Sequence, residues 1–280
     1  MVHIMTDSTC DLSAARLAEL KVECVPLSVQ FGDEVFRDGV DLTNREFYTR
    51  LRQSQTLPTT SQVNPEEFAR RFQTYADRGD QTVGIFLASD ISGTCQSAAI
   101  ARSMVDEGSV FVVDSRVVTF SLGLLVQVAA SLRDEGMSAA GITARLTELA
   151  PRLRLLAVGD TLKYLKMGGR ISAATAMVGG VLGICPIIAV KQGTVSAVGK
   201  ARGRRAGFRW IAERMQKEPA DLSFPVSFGH TDCPEALQEC MDTLLPNLPG
   251  ARYTTNEVGS VVGTHMGPGA AGIAYFLKEN

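Results

Sequence analysis

The sequence predicts an α/β protein of two domains, an N-terminal one with a mainly parallel sheet flanked by helices and a C-terminal α/β domain with a mixed sheet. Three observations support this prediction. The 280 residues are 45% hydrophobic and 21% charged, an ordinary globular composition that suits one large or two modest domains. Short apolar runs alternate with capped helices in the first half, as in strands joined by helical crossovers. A hairpin signal in the second half requires antiparallel pairing there.

The first half contains four predicted strands. The segments "VHIM" and "VECVPL" come first, followed by Thr82–Ser89 and Ser109–Asp114. The last two are short, nearly continuous apolar runs, which are typical of parallel strands buried on both faces. Because strands and helices alternate, the connections are expected to be right-handed crossovers.

Two helices of the first half carry clear start signals. Thr43 and Glu46 form a capping box at the start of "TNREFYTRLRQ". Asn64 is the predicted N-cap of "NPEEFARRFQTYADR", with Pro65 at the first helical position. These signals predict helices between the strands of the parallel sheet.

The second half predicts a mixed sheet. Two β-rich runs surround Lys191, Gln192 and Gly193, and a basic helix follows in "RGRRAGFRWIAERMQK". A strand "PVSFGHT", a helix from Pro234, a strand near "ARYTTNEVGSVVG" and a last helix "AAGIAYFLKE" complete the prediction. We place the domain boundary near Pro151, which gives domains 1–152 and 153–280.

Composition argues against several classes of function. The net charge of −2 gives no reason to expect nucleic-acid or membrane-surface binding. No signal peptide is recognised at the N-terminus, and the longest apolar stretch, Met177–Val190, is too short to span a membrane. The six cysteines form no C-x-x-C pair, so we expect reduced thiols and a cytoplasmic location.

The segment Gly267–Gly272, "GPGAAG", matches the glycine pattern of dinucleotide-binding folds. That interpretation fails, because the sequence ends at Asn280, before the second strand and the acidic residue that the fold requires. A strand–turn–helix corner with a helix beginning near Gly269 remains, and His265 lies in its turn. Two interpretations stay open: an anion-binding corner with a histidine donor, or a tight turn with a hydrogen-bonded histidine.

Hydroxyl-rich segments lie where predicted strands end or capped helices begin, and Asp7, Ser8 and Thr9 follow the first strand. Thr60 and Ser61 precede one capped helix, and Ser92 and Gly93 precede another. Ligands of open α/β sheets gather at the carboxyl ends of strands, where hydroxyls can donate to a carboxylate or phosphate. Each cluster taken alone also suits a simple helix cap. Arg170 follows a glycine helix stop, which suits either a bidentate anion contact or a surface arginine.

Standard catalytic signatures are missing from the sequence. It has no P-loop, no G-x-S-x-G elbow and no H-E-x-x-H, and its three histidines lack metal-ligand spacing. These absences favour a binding protein for a small ligand with an anionic head over a self-contained enzyme.

Several short motifs, in the same order, together resemble the DegV family, specifically the fatty-acid-binding subunit of bacterial fatty acid kinase. The resemblance covers essentially the whole chain. The matching segments are "TDSTCDL", "PTTSQVNPEEF", "ISGTCQSA", "VVDSRVVTFSLGLLV", "DTLKYLKMGGRIS", "CPIIAVKQGTVSAVGKARGRRAG", "FGHTDCPEA" and "VGTHMGPGAAGIAYF".

The resemblance implies one long-chain fatty acid buried between two α/β domains. It implies that the carboxylate is held by the hydroxyls of Thr60, Ser61 and Ser92, by the backbone of Gly93 and by His265. Arg170 would supply a supporting anion contact. A separate ATP-binding kinase subunit would phosphorylate the carboxylate to an acyl phosphate for phospholipid synthesis. This chain would bring no catalytic residue, cofactor or metal.

Two residues depart from the family pattern beside the implied head-group site. Cys95 stands where an aromatic residue is usual, and Val63 stands where proline is common. Because of these two departures, the resemblance does not indicate which fatty acid the chain prefers. The apolar stretch Met177–Val190 is interpreted either as a wall of the fatty-acid tunnel or as plain core.

A basic stretch gives the only sequence hint of a partner surface. Arg202 and Arg205 belong to it, with Lys200, Arg204, Arg209 and Arg214. It is expected either to dock the kinase subunit or help hold ATP phosphates, or to form a solvated helix face. The alternatives for the chain as a whole are a stand-alone small-molecule kinase, a hydrolase that uses Ser92, and a sensor of free fatty acid.

Overall fold

The computed structural model describes residues 1–171 and 183–279, and its strands form three sheets. The strands are β1 (Val2–Asp7), β2 (Val22–Val25), β3 (Ser28–Phe31), β4 (Glu34–Arg37), β5 (Thr59–Ser61), β6 (Gln81–Phe86), β7 (Val110–Asp114), β8 (Leu153–Val158), β9 (Ile184–Lys191), β10 (Thr194–Arg202), β11 (Val226–His230), β12 (Tyr253–Glu257) and β13 (Ala271–Phe276). The helices are α1 (Ala14–Glu19), α2 (Asn44–Gln53), α3 (Pro65–Ala76), α4 (Thr94–Arg102), α5 (Phe120–Asp134), α6 (Ala139–Leu149), α7 (Lys163–Met167), α8 (Arg204–Lys217), α9 (Pro234–Leu244) and α10 (Ser260–Met266). None of these helices is long and apolar enough to cross a membrane.

The first sheet is parallel, in the order β2-β1-β6-β7, which confirms the predicted first half. The helix starts are also confirmed. Thr43 and Glu46 form the complete capping box of α2, and the Asn64 side chain caps α3 with Pro65 in its first turn. The sequence did not predict the small sheet β4-β3-β5, in which Thr59–Ser61 is an edge strand.

The second sheet is mixed, in the order β10-β9-β8-β13-β11-β12, as predicted. Only β11 and β12 pair in parallel among its described strands, and the hairpin β9–β10 forms around Gln192 and Gly193. All its strands follow residue 152, whereas those of the parallel sheet precede residue 115. Helix α5 contacts strands of both sheets and is buried along most of its length.

The predicted order of the last elements is wrong. The chain does not run from a strand through "GPGAAG" into a helix that begins near Gly269. Helix α10 comes first, and Ala271–Phe276 is a strand between β8 and β11. This strand is buried on both faces, so it shows no alternation, and an apolar run of that kind looks the same as a buried helix in sequence.

Helix α10 begins where it does because of a distant residue. The Asp38 carboxylate accepts hydrogen bonds from the backbone N–H of Ser260, at 2.9 Å, and from its hydroxyl, at 2.6 Å. Asp38 lies 222 positions earlier in the chain, so no local pattern around "GSVVGTHM" marks this helix start.

Candidate functional site

A cavity of about 170 Å³ lies between the parallel sheet and the mixed sheet. One water needs only about 10–15 Å³ of such space, so the cavity has room for an organic ligand. Its wall is mainly aliphatic and includes Phe120 from α5, Leu155 and Ala157 from β8, and Ile188 and Val190 from β9. Of the stretch Met177–Val190, residues 177–182 lie outside the described part of the chain.

All six residues expected to hold a ligand head group line this cavity. They arrive from four places in the fold: β5, the loop before α4, the turn after α7, and the last turn of α10. They are Thr60, Ser61, Ser92, Gly93, Arg170 and His265. The fold therefore brings together residues that are up to 205 positions apart in the chain.

Thr60 and His265 are directly hydrogen-bonded, with 2.9 Å between Oγ1 and Nε2. The other ring nitrogen, Nδ1, is buried and has no hydrogen-bond partner among the described residues. A buried donor without an acceptor is rarer and costlier than an under-used acceptor, so we assign the proton to Nε2. His265 then donates to Thr60, whose own hydroxyl hydrogen is left for another acceptor in the cavity.

Burial, together with the positive charge of Arg170, lowers the pKa of the His265 imidazole to about 4. The ring is therefore neutral at pH 7. Gly168 leaves room for it, because a Cβ there would overlap Nδ1 of His265. The polar corner of the cavity thus consists of neutral donors and one arginine.

The low pKa of His265 makes a prediction about stability in ligand-free protein. The unfolded chain binds a proton near pH 6.5 and the folded chain only near pH 4, so stability falls as the pH drops through this window. The loss at pH 5 is on the order of 1–2 kcal/mol. Urea unfolding of wild type and His265→Gln at pH 7.5 and pH 5 should show their difference shrinking by that amount. Parallel pH profiles would contradict the assignment of a neutral, buried ring.

Ser92 lies at the start of α4. Its Oγ is 3.0 Å from Thr94 Oγ1 and accepts a hydrogen bond from Thr94 N–H at 3.3 Å, while Gly93 is the N-cap residue. Ser92 therefore has a capping contact as well as a place on the cavity wall. Ser61 is exposed on the edge strand β5, beside Ser28 of β3.

Arg170 connects two loops at the cavity wall. Its Nη1 donates to the Gly168 carbonyl at 2.7 Å, and its Nε donates to the Ile91 carbonyl at 3.4 Å. These bonds hold the guanidinium between the turn after α7 and the loop after β6. Its positive charge adds to the effect of burial in lowering the pKa of His265.

Three carboxyl groups lie behind the wall: Asp7, which follows the first predicted strand, and Asp38 are buried, and Asp11 is partly buried. Asp38 fixes the start of α10, and Asp11 accepts hydrogen bonds from the Thr119 hydroxyl and, at 2.9 Å, from Gly259 N–H. Burial raises the pKa of Asp7 to about 6, although hydrogen bonds from Thr9 and from Leu87 N–H oppose the shift. These acids anchor the loops and helix ends that form the wall.

The two departures from the family pattern do not reach the ligand space. Val63 and Cys95 pack in one buried cluster with Met5, Phe86 and Val261. Neither is among the described residues that line the cavity. Their identity therefore acts on the packing behind the polar corner rather than by contact with a ligand.

The basic stretch divides into paired and free side chains. Arg204 makes two hydrogen bonds to Asp160, at 3.0 and 2.7 Å, and Arg214 is paired with Glu218. The Arg205 side chain is 75% exposed and lies 3.4 Å from Glu239. Arg202 is exposed, and within the described ranges no acidic side chain pairs with it.

Comparison with known proteins agrees with this architecture. The family model described as an uncharacterised protein of the DegV family matches residues 1–278. A DegV domain-containing protein of Caldanaerobacter subterraneus subsp. tengcongensis is 37% identical over 279 residues, covering 99% of both chains. Protein DegV of Bacillus subtilis is 30% identical over 279 residues, again with 99% of each chain covered.

Solved structures of similar chains are described with fatty acids. A DegV family protein from Thermus thermophilus, described by its fatty acid binding, superposes with a TM-score of 0.89 at 32% identity, with 99% of each chain covered. A stearic acid-binding protein from Eubacterium ventriosum superposes with a TM-score of 0.88 at 30% identity, also over 99% of each chain. With the whole-length family match, these similarities lead to one conclusion: the chain belongs to the DegV family.

Proposed function

We propose that this chain binds one long-chain fatty acid in the cavity between its sheets. The carboxylate would lie against Thr60, Ser61, Ser92, the backbone of Gly93 and His265, with Arg170 as a supporting cation. The observation that carries the proposal is the continuity of an apolar cavity with the Thr60–His265 corner. The fatty-acid binding described for similar chains supports it.

The tail is expected to supply most of the affinity. Roughly fifteen buried methylenes at ~0.8 kcal/mol each are worth on the order of ten kcal/mol before the costs of immobilisation. Each neutral head-group hydrogen bond adds only about one kcal/mol. The aliphatic wall therefore sets the preference for chain length, and the polar corner sets the orientation of the carboxylate.

We further propose that the chain presents this carboxylate to a separate ATP-dependent kinase subunit. Neutral donors bind a carboxylate without strongly quenching its charge, so one oxygen keeps the nucleophilicity to attack the γ-phosphate. The products would be an acyl phosphate, for phospholipid synthesis, and ADP. In this scheme the chain transfers no phosphate without the kinase subunit. Its two domains are residues 1–152 and 153–280. The chain works in the cytoplasm.

The hydrolase alternative has weaker geometric support. The Ser92 hydroxyl is hydrogen-bonded to the hydroxyl of Thr94, and His265 is hydrogen-bonded to Thr60. A nucleophilic serine needs a base within hydrogen-bond reach. Assays of the purified chain alone, with ATP and fatty acid or with fatty acyl esters, separate the alternatives. Turnover by the chain alone would favour a stand-alone kinase or hydrolase.

Reversing the charge of Arg202 and Arg205 together is expected to weaken coupling to the kinase subunit. Exposed charges act mainly on association, so kcat/KM should fall at least about tenfold at low salt while lipid binding is unchanged. Arg78→Glu, at an exposed arginine after α3, is the matched control. Loss of bound lipid in the double variant would show that the stretch is structural.

A further inference from the structure

Gln62 joins the two hydroxyl-bearing corners of the cavity. It directly follows Thr60 and Ser61 of β5, and its Nε2 donates to the Ser97 hydroxyl of α4 at 2.9 Å. Its Oε1 lies over Gly93, at the start of the same helix. The Gln62 side chain therefore links the end of β5, the strand that carries Thr60, to α4, the helix that begins beside Ser92.

Gly93 leaves space for the Gln62 side chain. Its φ of −70° is one that any residue adopts, so its backbone does not require glycine. A Cβ there would instead overlap Oε1 of Gln62, and the three nearest atoms that it would meet all belong to that side chain. The absence of a side chain at Gly93 thus matches the carboxamide that lies over it.

The partner of Gln62 lies outside the ligand space. Ser97 is buried within α4 and is not among the described residues that line the cavity. Gln62 itself lines the cavity, but its hydrogen bond to Ser97 lies outside the ligand space. This bond fixes the position of β5 relative to α4.

We propose that Gln62 is a positioning residue, which holds the Thr60 corner and the Ser92 corner at the spacing that orients a bound carboxylate for phosphorylation. This inference rests on the proposed function and adds a residue to it. Gln62 acts through β5 and α4 rather than by taking part in the transfer.

The side-chain chemistry fits this role. Glutamine offers a donor to Ser97 and a neutral oxygen over Gly93 from one planar group. Asparagine is one methylene shorter, and glutamate would place a second negative charge beside the carboxylate. Methionine keeps the length and removes both polar groups, so Gln62→Met is the direct test variant.

The decisive variant is Ser97→Ala, which removes the acceptor of Gln62 without touching the cavity. Each variant is loaded with [1-13C]palmitate and assayed with wild-type kinase subunit and ATP. We expect kcat to fall about tenfold to a hundredfold in both variants, because a displacement of ~1 Å at a nucleophile costs up to about a hundredfold. KM and the amount of bound palmitate should stay near wild type, since the tail sets affinity.

The 13C-carboxyl resonance of the bound palmitate gives a readout that needs no kinase. It should shift in the same direction in Gln62→Met and Ser97→Ala, and the double variant should add nothing to either. Ser103→Ala, an exposed serine at the end of α4, is the control and should leave both readouts unchanged.

Two results overturn the inference in distinguishable ways. If Ser97→Ala keeps the wild-type kcat and carboxyl resonance, Gln62 does not act through α4, and fatty-acid binding stands. If wild-type protein binds no palmitate, the proposed function fails and the role of Gln62 fails with it.

Discussion

Thr60→Val should keep its fatty acid and lose at least about a hundredfold in phosphotransfer. The valine side chain keeps the shape of threonine but removes the hydroxyl that both accepts from His265 and faces the cavity. One neutral hydrogen bond is worth about one kcal/mol, which is small beside the tail. Displacement of the attacking carboxylate is far more costly, because a shift of ~1 Å can lower the rate of phosphotransfer about a hundredfold.

Ser92→Ala is expected to behave in the same way, because it removes a hydroxyl at the second corner. The assay pairs lipid retention by mass spectrometry with acyl phosphate formation by the kinase subunit. Thr59→Val is the matched control, because Thr59 is exposed on β5 and is not among the described residues that line the cavity. Normal phosphotransfer by Ser92→Ala would mean that Ser92 serves only as a helix cap.

Ala157→Phe should nearly abolish lipid binding, to below about a tenth of an equivalent per chain. Ala157 lies on β8, in the cavity wall, so a phenyl ring there would take space that the tail needs. Overpacking costs typically about 1–3 kcal/mol of stability, which a domain of this size can tolerate. The lost methylene burial would cost most of the binding energy.

The measurement for Ala157→Phe is the molar ratio of fatty acid to protein after gentle purification, with the melting temperature recorded beside it. Ala140→Phe, at an exposed position on α6, controls for the added ring. A folded Ala157→Phe protein that still carries a full equivalent of fatty acid would place the ligand elsewhere.

Local chemistry explains what the sequence predicted well. The capping box of Thr43 and Glu46 and the Asn64–Pro65 helix start depend on residues within one turn, so their pattern is readable without the fold. The hairpin around Gln192 and Gly193 is local in the same sense. The order of α10 and β13 is not local, because Asp38 fixes one and burial between β8 and β11 fixes the other.

The candidate site likewise contains residues that the sequence reveals and contacts that only the fold creates. The hydroxyl clusters and Arg170 stood out in sequence, and the family resemblance gave them a role. The Thr60–His265 bond, the neutral ring and the link from Gln62 to Ser97 depend on distances between segments that are far apart in the chain. The sequence shows Gln62 directly after Thr60 and Ser61, but its hydrogen bond to α4 is seen only in the folded chain.

Mass spectrometry of gently purified protein after organic extraction tests most directly whether the cavity holds a fatty acid. We expect fatty acid at a near-equimolar ratio to protein, because an empty apolar cavity lacks the dispersion contacts that a tail would supply. Several independent preparations that yield no extractable fatty acid would contradict it.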